Sequence, residues 1–182
     1  MNTLEEIEVN KFIHLVLVET IGQCVRTGNE YLSAGIIAQG IELIGSIIEN
    51  EEDEKLKKKE SDFDTKGKSR ERFYNALMLF DSKYYSLCAK TEKSSNKDFD
   101  LYTNLRCGYA HQLKPTGRIH VFDANKAKEG KFTHLVIDSR NVLPIVVAEL
   151  FSDFKEVCEK VISQINSGGI KHSKAYSTFI YV

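Results

Sequence analysis

The sequence predicts a mainly α protein: an antiparallel bundle of about five helices with one β-hairpin inserted before the last helix. Three observations carry that expectation. Apolar residues recur at three- and four-residue spacing along most of the chain. Short connections separate these stretches, which favours antiparallel neighbours. After residue 116 the pattern switches to short β-branched and aromatic runs, "GRIHVF" (117–122) and "KFTHLVID" (131–138), around a polar loop. The 182 residues read as a single domain, 1–182, with the hairpin at 117–138 and a tail at 168–182.

The first helix is expected from about Leu4 to Arg26, ending at "TGNE", where Gly28 and Asn29 are turn residues. The second runs from about Glu30 to Asp53, with Ile36, Gly40, Ile44 and Ile47 on one stripe. Gly35, Gly40 and Gly45 lower its helix propensity, which suggests close approach of a neighbouring helix. The charge run 50–72 reads as a solvated helix end and loop. A local basic patch of Lys66, Lys68, Arg70 and Arg72 is the weaker reading, since no aromatics interleave with them.

A third helix begins near Ser69, with Phe73, Ala76, Leu77, Phe80, Tyr84, Leu87 and Cys88 on its apolar face. The polar "KTEKSSNKD" links it to a fourth, starting near Asp98 with Asp98 or Asn96 as cap. Tyr102, Leu105, Tyr109 and Leu113 form the fourth helix's stripe, and Pro115 and Gly117 end it. A two-stranded hairpin is marginal alone, so it must lie against the helices or pair with another chain. Pro144 suits the first turn of the last helix, whose stripe is Leu143, Val147, Leu150, Phe154, Val157, Val161 and Ile165. Gly168 and Gly169 stop it. The tail "AYSTFIYV" is compatible with a short strand, a partner-binding segment or disorder.

Lysine and arginine number 25 against 26 acidic residues, for a formal net charge of -1. Bulk charge does not drive nucleic-acid binding here, so any RNA or nucleotide contact is local. Cys24, Cys88, Cys107 and Cys158 form no C-x-x-C pair and no zinc spacing, and read as free thiols of a reducing cytoplasm. No leader is read in the sequence, and "FIHLVLV" (12–18) is too short to span a bilayer, so a cytoplasmic location without membrane contact is expected. No metal and no cofactor are expected. "DTKGKSRER" does not complete a phosphate-binding loop, and no Ser or Cys has a recognisable nucleophile setting. His120 and His134 are expected one per hairpin strand, as surface residues, and His14 as a core or edge histidine.

"LYTNLRCGYAHQLKP" (101–115) carries the candidate chemistry. Arg106 falls within the apolar arc of its helix, and His111 lies about 140° from it on an ideal helix. The pair meets only if Gly108 bends the helix or a second subunit supplies the complement. The plain reading is an arginine reaching a buried carboxylate, with a histidine decorating a helix end. The functional reading is phosphoryl chemistry on RNA. A histidine near neutrality moves the 2′-hydroxyl or leaving-group proton, and an arginine neutralises the phosphate.

"LRCGYAHQLKP" at the start of a late helix in an all-helical chain resembles the HEPN superfamily, whose signature is Arg, four to six residues, then His. The resemblance implies a small helical bundle, a homodimer, and a metal-independent endoribonuclease of toxin–antitoxin or phage-defence type, with an antitoxin protein as possible partner. Arg106 and His111 would then be the catalytic pair. Tyr109 and Lys114 are the candidate substrate contacts beside them, although Tyr109 also lies on the apolar stripe, where packing is its plainer role. Inactive members of the family bind nucleotides or proteins instead. Cys107 stands where active members carry Asn, Asp or His, and a thiol is a weak hydrogen-bond donor.

Overall fold

A computed structural model describes residues 5–7, 9–49, 67–91, 96–170 and 178–180. The 50–66 part of the charge run, with Lys66, the linker residues 92–95 and His172 lie outside the described residues.

Helix α1 spans 9–26 and is π-helical between Ile13 and Thr20. It turns at Gly28, in the left-handed region, into α2, Glu30–Ile47. Helix α3 is Ser69–Leu77 and α4 is Ser82–Tyr85. Helix α5 covers 101–112, its π-helical segment Tyr102–Arg106 running into the α-helical Cys107–Gln112. Strand β2, Ile119–Phe122, is followed by α6, Ala124–Gly130, then by β3, Leu143–Val146, and α7, Val147–Asn166. Two short strands, β1 (Glu5–Ile7) and β4 (Thr178–Ile180), pair antiparallel and join the two ends of the chain. The tail thus takes its strand option at 178–180.

The fold is mainly α, and α2 is its centre, packed against α1, α3, α5 and α7. Its inward positions are apolar or small: Ala34, Ile37, Ala38, Ile41, Ile44 and Ile47 are buried. The glycines do what close approach requires. Gly45 lies against the Arg72 backbone of α3, where a Cβ would collide with the Arg72 carbonyl. Phe154 of α7, fully buried, sits over Gly40. Burying one such ring contributes roughly 1.5–3 kcal/mol.

Three expectations need correction. The third helix does not run through to Cys88. It breaks at 78–80, and the Asp81 carboxylate restarts the chain as α4 by accepting from Lys83 N at 2.9 Å. The 117–138 hairpin does not form. Asp123 accepts from Lys126 N at 2.8 Å and caps the expected loop into α6. Residues 131–138 hold Lys131 and Leu135 at φ 54° and 58°, which no strand allows. β2 pairs instead with β3, in parallel, Ile119 opposite Leu143 and Phe122 opposite Val146. Residues 123–142 supply the long crossover that a parallel pair needs. Finally, Leu143 and Pro144 belong to β3 and not to α7. All of β3 is buried, so its sequence is continuously apolar and mimics a helix start.

The basic residues of α3 are spent within the fold. Arg72, 2% exposed, pairs through Nη2 with Glu49 at 2.9 Å, and Lys68 reaches the same carboxylate at 3.3 Å. Arg70 Nη1 meets Asp100 at 3.0 Å. The three described residues of the patch, Lys68, Arg70 and Arg72, therefore pair with carboxylates of their own chain.

Candidate functional site

Helix α5 starts later than expected because its cap is Asp100. That carboxylate accepts from Thr103 N at 2.7 Å and from Ala89 N at 3.1 Å, and it takes Arg70 as its counter-ion. Burial alone would raise its pKa, but the Ala89 and Thr103 amides and the Arg70 guanidinium outweigh burial and hold it below the usual carboxylate range. Asn96 caps only the turn before, accepting from Asp98 N at 3.2 Å.

Arg106 is the last residue of the π-helical segment and points into the protein. Its Nε meets Oε2 of Glu42, on α2. Both atoms are shielded from solvent and neither is in a hydrogen bond among the described residues, so they meet as an ion pair; the two side chains are 16% and 6% exposed. The guanidinium lies 5.8 Å from the Tyr102 ring centre, while Arg70 covers the same ring at 4.6 Å. Gln39 Nε2 donates to the Arg106 carbonyl at 3.3 Å, a second tie between α2 and α5. Burial raises the Tyr102 phenol pKa, and the neighbouring Cys107 thiol adds to it.

His111 is in the last turn of α5 and is exposed. Among the described residues it has no hydrogen-bond or ion-pair partner. Gly108 does not break the helix before His111, because α5 continues to Gln112. The glycine serves the returning chain: a Cβ there would lie 2.6 Å from the Lys114 carbonyl oxygen. Within one chain, Arg106 and His111 therefore face different surroundings, one a buried carboxylate and the other solvent.

Tyr109 is a packing residue. It is 6% exposed, its ring lies over Gly35 of α2, and it meets Tyr31 edge-on at 5.4 Å. Its hydroxyl is buried with no hydrogen-bond partner among the described residues, and burial, with Tyr31 beside it, raises its pKa. Lys114 is exposed. Leu113, expected on the apolar stripe, lies just past the helix at φ 57° and is 74% exposed.

Two groups escaped sequence reasoning. Glu42 carried a usable signal, as the one charged residue between Glu30 and Glu49 on an otherwise apolar helix. The second is a buried relay. His134 is 2% exposed, and its Nδ1 accepts from Val146 N at 3.0 Å. The proton is thereby placed on Nε2, which donates to the Tyr84 hydroxyl at 2.8 Å, and Tyr84 donates to Asp153 Oδ2 at 2.6 Å. Burial, and after it Lys83, pushes the imidazole pKa down to about 3. His134 is thus no surface partner of His120, which is exposed on β2, and His14 is an exposed edge residue paired with Glu19 at 3.1 Å.

Comparison with known proteins returned no matching family model, and no curated protein or solved structure matches the chain significantly. Among the described residues, no helix is long and apolar enough to cross a membrane.

Proposed function

We propose that the chain is a HEPN-like binding module that does not cleave RNA, with Arg106 as an internal tether between α5 and α2. One observation carries this reading: the Arg106 guanidinium is committed to the buried Glu42 carboxylate. The Arg106–Glu42 pair is net neutral and so attracts a phosphate weakly, and freeing the arginine would strand a buried carboxylate. Cys107, beside it, adds no strong donor. Cleavage of a mixed structured RNA in EDTA tests the reading, alongside Arg106→Ala and His111→Ala. The expected outcome is no cleavage by any of them, with Arg106→Ala less stable and His111→Ala as stable as the parent. Cleavage by the parent that both substitutions abolish, with both still folded, overturns it.

A second reading is favoured by a different observation. His111 stands exposed beside Leu113, and Tyr31, Leu32 and Ile36 of α2 are 46%, 57% and 46% exposed. Tyr31 touches Tyr109, which places this apolar surface next to α5. Two copies meeting there would form a composite site for a metal-independent endoribonuclease of toxin or defence type. His111 would then do acid–base work, Arg106 would hold the phosphate once released from Glu42, and Lys114 would contact substrate. The mass in solution tests this: a two-chain species that Leu113→Glu splits supports it, and a single-chain parent removes it.

A further inference from the structure

The crossover between β2 and β3 builds a ladder of flat groups at the surface. His120 and Phe122, on β2, have ring centres 6.3 Å apart. Phe122 stacks on Phe132 at 4.3 Å and 25°. Arg140 lies over the Phe132 ring at 4.7 Å. The guanidinium is fixed in that plane because Asp138 Oδ2 accepts from its Nε at 3.0 Å and its Nη2 at 2.9 Å. Oδ1 of the same carboxylate accepts from Arg140 N and Val142 N, both at 2.9 Å. Asp138 is thus spent on its own loop, and those amides and Arg140 hold its pKa low. The side chain of Arg140 is nevertheless 62% exposed, so its outer face is open.

Beside it is a pocket of about 430 Å³ lined by Lys131, Phe132, Thr133, Val136, Ser139 and Arg140 among others. Lys131 has no acidic partner among the described residues. The wall is a loop held in an unusual shape, with Lys131, Leu135 and Asn141 all at positive φ.

We propose that this pocket binds one nucleotide of a single-stranded nucleic acid. The base stacks on the outer face of Arg140, Thr133 and Ser139 meet its polar edge, and Lys131 meets one backbone phosphate. The proposal rests on the binding-module reading above and names its ligand. A planar cation already locked flat makes a stacking platform at little entropic cost, and base stacking tolerates any sequence. The charge count selects a strand over a free nucleotide. A phosphodiester carries one negative charge, which Lys131 matches, whereas a terminal phosphate carries nearly two.

The test is fluorescence anisotropy of a labelled twelve-residue oligoadenylate RNA with the full chain in EDTA, for the parent, Arg140→Ala, Arg140→Lys and Lys131→Ala, each checked by melting temperature. Arg140→Ala should weaken binding about tenfold, and Arg140→Lys nearly as much, because charge without a flat face does not stack. Lys131→Ala should reduce the salt dependence by about 0.7 in log–log slope. Equal binding by parent and variants overturns this site and leaves the module reading standing. No binding by the parent overturns the site and also removes RNA from the module's partners. Competition by adenosine monophosphate at the strand's own concentration range overturns the strand as ligand.

Discussion

Replacing Arg106 by alanine leaves the Glu42 carboxylate buried without its counter-charge, and the expected loss is about 3 kcal/mol in chemical denaturation. The companion change Glu42→Leu in the same chain should restore most of it, because the cost lies in the unpaired charge and not in the missing pair. Unchanged stability in Arg106→Ala would refute the tether. Tyr109 works in the opposite sense. Its buried hydroxyl has no partner among the described residues, so Tyr109→Phe should raise stability by about 1 kcal/mol in the same assay. His134 gives the molecule a pH dependence. The folded state holds the imidazole near 3 while the unfolded chain titrates near 6.5. Below 6.5 the unfolded state therefore binds a proton that the folded state refuses. The stability due to neutral His134 is full above 6.5 and falls by about 1.4 kcal/mol per unit as pH drops toward 3. Urea midpoints between pH 7 and 4.5 should show this slope, and His134→Gln should flatten it.

At the level of elements, Gly45→Ala reverses a usual rule. Alanine in a helix interior normally gains about 1 kcal/mol over glycine. Here the added methyl drives α2 away from the Arg72 backbone, and a net loss of about 1–3 kcal/mol is expected in urea unfolding. The need for that glycine was legible, since three glycines spaced along an isoleucine-rich helix imply a neighbour close by. The α7 stripe from Val147 to Val161 was legible for the same reason, because 3.6-residue periodicity survives wherever one face is buried; on α2 the helix was legible but its buried face was read too wide, since Ile36 is 46% exposed. The β2–β3 pairing was not. Its partner lies beyond a whole helix in sequence, and a four-residue strand buried throughout has no alternation to reveal it. At the candidate site the sequence located Arg106 and His111 on one helix and 140° apart, and left a buried carboxylate as one of two readings for the arginine, beside a phosphate contact. It did not say which carboxylate, because that depends on how α2 and α5 cross.

Taken whole, the molecule is organised around α2, which touches α1, α3, α5 and α7. Amide hydrogen exchange should therefore be slowest between Ala34 and Ile47 and should follow global unfolding there. Exchange of these amides as fast as those of the short α4 would contradict that arrangement. The direct passage from Val146 of β3 to Val147 of α7 has a further consequence, which concerns the order in which the chain is made. Synthesis delivers α1, α2, α3, α5 and β2 first. Until residues 143–146 emerge, β2 has no strand beside it, and until Phe154 follows, the Gly40 face of α2 is bare. Both gaps close with the same late stretch of chain, so a nascent polypeptide halted before it carries an open core that chaperones must shield.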